Sequence, residues 1–255
     1  MLYSLTYYMK KEKILGVIPA RLGSTRLKRK MLVDINGKPL IYHTWKQAKK
    51  AKMLDEVVVA TDSKEIFDVV EDFGGKAIMT PKSIKTGSDR VAKTVERFKD
   101  FAPTIVINIQ GDEPMMPPSA INKTAELLAK DKKALMSTVA TPLKEKRDLD
   151  DPGVVKVVRD KEGYALYFSR SIIPYARTPY TAYLKHMGIY GYRPEFLKKY
   201  VSLKQTPLER AELLEQLRAL ENGVRIKVGV GKYDRAEVNT PEELAHVRKL
   251  MRKKS

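Results

Sequence analysis

Residues 19–30 read PARLGSTRLKRK. They place Gly23, the hydroxyls of Ser24 and Thr25, and the cations Arg21, Arg26 and Lys30 directly after the apolar run ILGVI. Glycine permits close backbone approach, hydroxyls donate hydrogen bonds, and guanidinium and ammonium groups can surround several phosphate oxygens. The spacing matches neither G-x-x-x-x-G-K-[ST] nor G-x-G-x-x-G. A basic surface loop is the plainer alternative, but a position just past a strand favours phosphate binding. A second apolar run, TIVINI, passes into QGDEP. There Asp112, arrested by Pro114, could ligate Mg²⁺ with one carboxylate while phosphate and water complete the shell; the alternative is an ordinary turn. Asp62 also ends an apolar run, in VVVATDSKE, but Asp62 and Glu65 have capping-box spacing, so a structural role is expected for it.

The elements that must position these residues alternate. ILGVI, EVVVA, KAIM and TIVINI are short, β-branched and apolar, the pattern of strands buried on both faces. LIYHTWKQAKKA, KEIFDVVEDF and SDRVAKTVERF between them carry a helical period. Such alternation implies right-handed crossovers and an α/β fold, with a mostly parallel central sheet and helices on both faces. Its ligand site lies beyond the carboxyl ends of the strands. After Met136 the rhythm changes, and STVAT, VVKVVR, YALYFS and KHMGIYGY read as strands of a smaller mixed or antiparallel extension. A single helix is expected over PLERAELLEQLRALENG, opened by a Thr206–Glu209 capping box with Pro207 at its first position and stopped by Asn222-Gly223. VRIKVGV and PEELAHVRKLMRKK then supply a last strand and a closing helix.

With 255 residues, 43% of them hydrophobic, the chain can bury a sizeable core as one domain, and no linker or repeat divides it. The absence of cysteine excludes disulfides, thiolate nucleophiles and cysteine zinc sites, and fits a reducing cytoplasm. Three scattered histidines cannot make a His-rich metal site. The opening MLYSLTYYMKK has the reverse of a signal peptide's charge order and is too short to span a bilayer. Residues 1–12 are therefore expected to form a flexible extension, with Met9 an alternative start. A net charge of +18 raises a nucleic-acid partner. The lysines, however, coat helix faces such as KQAKKAK and the MRKKS tail without interleaved aromatics, which favours a solvated surface.

Taken together, IPARLGSTRL with Lys30, INGKPLI, ATDS, TGSDR, NIQGDEP, EGYALYFSR, KHMGIYGY and LEQLRALENG resemble the 3-deoxy-manno-octulosonate cytidylyltransferases, or CMP-Kdo synthetases, in family order from about residue 14 to 250. PARxxSTR alone would indicate only the wider nucleotidyltransferase group. The resemblance implies a nucleotide-diphospho-sugar-transferase-like fold and transfer of a cytidylyl group from CTP to the eight-carbon acid sugar Kdo, releasing pyrophosphate, for lipopolysaccharide assembly. It further implies Mg²⁺, a cytoplasmic homodimer with neither nucleic acid nor membrane as partner, and a sugar-binding and dimerisation subregion at about residues 137–200. Carried over by motif, Arg21, Ser24, Arg26 and Lys30 would contact the triphosphate, with Thr86, Gly87, Ser88 and Gln110 around the cytidine, and Arg21, Lys30 and Asp112 would serve catalysis. On the sugar side it implies Arg170, His186, Tyr190, Glu215 and Gln216, with Arg170 gripping the Kdo carboxylate through two hydrogen bonds. From the residues alone, each has a plainer reading: His186 a satisfied strand-end histidine, Tyr190 a half-buried strand aromatic, Glu215 an exposed helix face.

One position departs from the pattern. The family's V-D-T-P-E-D places an aspartate at the metal site, where this chain has Asn239 in EVNTPEEL. An amide oxygen can still ligate Mg²⁺ but attracts it less than a carboxylate. The change leaves open weaker metal binding, compensation by Asp234 or Glu237, a shifted preference toward 8-amino-Kdo or another acid sugar, and reduced activity. It also leaves open a non-catalytic basic nucleic-acid or interaction protein on the same fold.

Overall fold

The computed structural model describes residues 12–23, 26–143, 145–234 and 236–252. Its first half runs β1 (Ile14–Ala20), the hairpin β2 (Asp34–Ile35) and β3 (Lys38–Pro39), α1 (Leu40–Lys49), β4 (Glu56–Thr61), α2 (Lys64–Asp72), β5 (Lys76–Met79), α3 (Gly87–Arg97), β6 (Ile105–Asn108) and α4 (Pro118–Lys130). The second half runs β7 (Met136–Pro142), α5 (Lys146–Asp150), β8 (Lys156–Arg159), β9 (Ala165–Ser169), β10 (Leu184–Tyr192), α6 (Pro194–Ser202), α7 (Pro207–Glu212), α8 (Leu217–Glu221), β11 (Ile226–Val230) and α9 (Pro241–Arg252).

The main sheet has the order β11-β7-β10-β6-β1-β4-β5, with β8 and β9 attached beside β10. Pairs β1–β4, β1–β6, β4–β5 and β7–β11 are parallel, while β10 runs antiparallel between β6 and β7. Alternate residues of β1 feed the two faces. Ile14 and Ile18 pack with α1, α2, α4 and α9, whereas Leu15 and Val17 pack with α3, α6 and α8. A parallel sheet covered on both faces requires such continuous apolar strands, and it aligns the carboxyl ends of β1, β4 and β6 along one rim.

Two local departures shape the site. Between Met187 and Tyr190 the register of β10 slips against β7, so the strand bulges. The helix expected over 207–223 is broken: α7 ends at Glu212, Leu213 takes φ 52°, ψ 45°, and α8 starts at Leu217. The main-chain ladder fails there because the carbonyls of Glu212 and Leu213 turn to the Arg170 guanidinium. The expected capping box does open α7, its Glu209 carboxylate accepting from the Thr206 N–H.

Candidate active site

Beyond the carboxyl ends of β1 and β6 lies a cleft lined by Arg21, Gly23, Arg26, Lys30, Lys85, Thr86, Gly87, Arg90, Gln110, Gly111, Asp112 and Asn239. Each wall has a local cause. The turn after the basic loop is anchored by buried Met31 inside a short 3-10 turn, Lys30–Leu32, which presents Lys30 to the cleft. Gly111 lets the post-β6 turn press on β1, since a Cβ there would meet the Pro19 carbonyl oxygen at 2.6 Å. The buried Thr44 hydroxyl of α1 donates to the Gly111 carbonyl and pins that turn. Thr86 caps α3, its hydroxyl accepting from the Asp89 N–H at 3.1 Å, so the positive end of the helix opens on the cleft at Gly87.

Lys30 is the centre of the arrangement. Its ammonium donates to Asp112 Oδ2 at 2.7 Å and Asn239 Oδ1 at 2.9 Å, and Arg26 donates to the same amide oxygen at 3.2 Å. The two residues expected to hold a metal, more than 120 positions apart, thus aim their oxygens at one cation. Asn239 precedes a second capping box, in which Glu243 accepts from the Asn239 and Thr240 N–H groups and Thr240 accepts from Glu243. The Val238 N–H bonds the Asp112 carbonyl, joining that segment to the post-β6 turn. Asp234 instead lines a separate groove with His43 and Lys50. Among the described residues no group of three or more His, Cys, Asp or Glu side chains converges as a metal site.

Asp62 has another part than the helix cap expected of it. Ser63 caps α2, accepting from the Ile66 N–H, and Glu65 pairs with Arg29. The Asp62 carboxylate instead binds Arg90 at 2.9 Å and accepts from the Leu22 N–H at 3.4 Å. Arg90, only 2% exposed, also donates to Thr80 and to the Ile84 carbonyl. The Asp62–Arg90 pair therefore ties together the chain segments after β1, β4 and β5. Sequence reasoning missed Lys85 and Arg90; their place beside TGSDR at a helix start was the available signal.

Four of the residues expected on the sugar side, His186, Tyr190, Glu215 and Gln216, fall in a second, less charged cluster of buried and half-buried side chains. The Thr138 hydroxyl fills the β10 bulge, within donating distance of the Ile189 carbonyl at 2.7 Å and 3.0 Å from His186 Nε2. The Tyr190 hydroxyl donates to Gln216 Oε1 at 3.0 Å. Gln216 is 3% exposed, and among the described residues its Nε2 has no partner, nor has Oδ1 of buried Asn108, which lies opposite Tyr190 across the β6–β10 ladder. Burial pushes the Glu215 carboxyl up, while a Ser88 hydrogen bond and the Arg218 charge pull it back. Ser88, expected beside the cytidine, is buried and bonds toward Glu215 and Tyr192, so it links the first turn of α3 to this cluster. Arg170 meets main-chain carbonyls instead of joining these side chains. Ser24 lies outside the described residues.

Residues 15–226 match the family model described as cytidylyltransferase. The 3-deoxy-manno-octulosonate cytidylyltransferase of Thermodesulfovibrio yellowstonii is 45% identical over 92% of this chain and 96% of its own length, and that of Polynucleobacter necessarius 46% over 93% and 95%. A solved CMP:2-keto-3-deoxy-manno-octonic acid synthetase, complexed with CTP, superposes with a TM-score of 0.90 at 39% identity, covering 95% of this chain and all of its own. The 4-diphosphocytidyl-2C-methyl-D-erythritol synthase of Anaerococcus prevotii, at 18% identity and TM-score 0.62, shares the fold. A cationic cleft at the rim of this sheet therefore sits on a chain that belongs to the 3-deoxy-manno-octulosonate cytidylyltransferase family.

Proposed function

We infer that the chain transfers a cytidylyl group from CTP to the anomeric hydroxyl of Kdo, giving CMP-Kdo and pyrophosphate for lipopolysaccharide assembly. The observation that carries this reading is the cleft at the ends of β1 and β6. There Arg21, Arg26, Lys30, Lys85 and Arg90 surround Asp112 and the amino end of α3. A nucleoside triphosphate brings about four negative charges, and the sugar acid adds one more. The reacting partners repel each other, and the first task of the site is to cancel that repulsion.

In the proposed reaction the anomeric oxygen attacks the α-phosphorus, a new O–P bond forms, and the bond to the β-phosphate oxygen breaks as pyrophosphate leaves. Arg21, Arg26 and Lys30 hold the phosphates, and the free N–H groups at the start of α3 add a fixed dipole. Arg90 is largely neutralised by Asp62, so it serves the walls of the cleft more than its charge. At the proposed sugar site the Gln216 N–H₂ and the Asn108 carbonyl, without partners among the described residues, offer a donor and an acceptor to sugar hydroxyls. His186 and Tyr190 bound that site from β10.

Mg²⁺ fits the donor set: Asp112 and Asn239 direct one carboxylate and one amide oxygen at a common cation, the hard-oxygen chemistry that this ion requires. Held by these two residues, it would offset phosphate charge and ease loss of the hydroxyl proton. A homodimer is proposed with residues 137–200 as its sugar-binding and dimerising subregion, for which exposed Leu166, Ile172, Tyr175 and Tyr180 offer apolar surface. No helix among the described residues is long and apolar enough to cross a membrane. Action in the cytoplasm is supported by the lack of cysteine.

The test is pyrophosphate release with CTP, UTP, ATP or GTP against Kdo, 8-amino-Kdo and sialic acid in the presence of Mg²⁺. CTP with Kdo is expected to be the productive pair. No release from CTP with any of the three sugars would overturn the reading.

A further inference from the structure

Among the described residues, three threonines with no exposure lie inside helices: Thr44 in α1, Thr94 in α3 and Thr124 in α4. A threonine within a helix commonly returns its hydroxyl to the carbonyl four residues back. Thr94 does so to Arg90 at 2.7 Å and Thr124 to Ala120 at 2.9 Å. Thr44 departs from them. Its hydroxyl leaves α1 and donates to the Gly111 carbonyl, 67 residues on, at 2.9 Å.

Both ends of this bond are fixed. Leu40, Ile41 and Ala48 of α1 are fully buried, and the His43 ring holds the helix to the β2–β3 hairpin, its Nε2 lying 2.8 Å from the Ile35 carbonyl oxygen. Gly111 is buried in the turn after β6, and among the described residues no second donor reaches its carbonyl. A Cβ there would lie 2.6 Å from the Pro19 carbonyl oxygen and 3.1 Å from Met31 Sδ, so the bare backbone wedges between the end of β1 and the residue next to Lys30. Asp112 follows at once. Its Oδ2 accepts from Lys30 at 2.7 Å, and its carbonyl accepts from the Val238 N–H at 2.9 Å, one residue before Asn239. The Thr44 hydroxyl therefore fixes the peptide around which Asp112, Lys30 and Asn239 are set. Without it a buried carbonyl would lose its donor, and the turn would have to move to find another.

We propose that Thr44 is a positioning residue: through the Gly111 carbonyl it sets the Asp112 turn, and so the reach of the Asp112 carboxylate toward the cation that it shares with Asn239, without touching either substrate. This rests on the cytidylyl-transfer reading above and refines it, because part of the control over the metal-holding oxygens then lies on a helix behind the cleft.

The test uses the full chain with three variants. Thr44→Val keeps the shape and loses the donor, Thr44→Ser keeps the donor, and Thr124→Val removes a buried hydroxyl that serves only its own helix. Mn²⁺ binding to protein saturated with CTP, without sugar, is read by electron paramagnetic resonance, and steady-state rates give half-saturating Mg²⁺, kcat and KM for Kdo. Thr44→Val is expected to weaken Mn²⁺ and to raise half-saturating Mg²⁺ by about tenfold, the loss that follows removal of a group behind metal ligands, with KM for Kdo within about twofold of wild type. Thr44→Ser and Thr124→Val should both bind Mn²⁺ within about twofold of wild type. Amide hydrogen exchange provides a readout independent of metal and turnover: protection over residues 110–113 should fall in Thr44→Val and hold in Thr124→Val. Equal Mn²⁺ affinity in Thr44→Val and Thr124→Val, a Thr44→Ser variant as impaired as Thr44→Val, or unchanged exchange over 110–113 would each overturn the proposal. A wild-type chain with neither CTP turnover nor CTP-dependent Mn²⁺ binding would instead strike the functional reading, and the exchange result would still decide the part played by Thr44.

Discussion

The two side-chain groups at the sheet rim, the proposed nucleotide cleft and the proposed sugar site, are built in opposite ways. The nucleotide cleft gathers full charges on segments that directly follow strands, with Arg21 after β1 and Asp112 after β6. The proposed sugar site gathers mostly neutral, buried or half-buried groups around a strand bulge and a broken helix: Tyr190, Gln216, Asn108 and Thr138. Charge acts over several ångströms and tolerates small errors of position, whereas neutral hydrogen bonds act only at contact. The first region should therefore fail through lost charge and the second through lost shape.

Lys30→Ala strikes the comparison hardest. Removing the ammonium leaves Asp112 and Asn239 without the donor that they share, and kcat/KM should fall about 10³-fold, the loss associated with one electrostatic group in a reaction site. A loss below about tenfold would mean that charge is not what this cleft supplies. Gly111→Ala asks how much position matters there as well. Its Cβ would collide with the Pro19 carbonyl and push out the Asp112 turn, and roughly hundredfold in kcat is expected for a displacement of about 1 Å.

Gln216→Leu sharpens the other side. It removes the partner of the Tyr190 hydroxyl and an unpartnered donor, and should raise KM for Kdo by about tenfold while KM for CTP stays within about twofold. If KM for CTP moved instead, the two proposed sites would not be separate. Asn239→Asp adds a charge beside Asp112. Half-saturating Mg²⁺ should fall by about fivefold, near the 1 kcal/mol that one charge contributes at about 4 Å in a water-like dielectric; no shift would make Asn239 part of the α9 start alone.

Glu215→Gln is the smallest effect and has a defined sign. Burial raises the native carboxyl above its ordinary value of 4.5, so over the window above 4.5 the native state keeps a proton that the unfolded chain has lost. Wild-type stability therefore falls as pH rises through that window, and glutamine removes the penalty. The variant's Tm relative to wild type should rise from about pH 4 toward neutrality. A difference that is flat or falls with pH would show that Glu215 is not held by burial.

Much of the cleft was legible because its chemistry is local. Arg21, Lys30 and Asp112 stand just past apolar strands, and Thr86 precedes a helical period, so sequence position and spatial position nearly coincide. The structural role expected of Asp62 holds, but the cap was placed on the wrong residue for the same reason. Its capping-box spacing with Glu65 is a complete local explanation, and nothing nearby announces that Arg90, 28 residues on, claims the carboxylate. The helix expected across 207–223 failed likewise, since no feature of PLERAELLEQL reveals that an arginine 42 residues earlier takes the Glu212 carbonyl.

From the amino-acid order alone came the α/β class, the buried parallel strands, the cationic loop after the first of them and the family signature, because propensity, periodicity and turn chemistry act within a few residues. Folding alone decided the insertion of β10 between β6 and β7, the Asp62–Arg90 tie, the shared grip of Lys30 on Asp112 and Asn239, and the break at Leu213. Each depends on which distant donor reaches a given oxygen first, and only packing in three dimensions sets that.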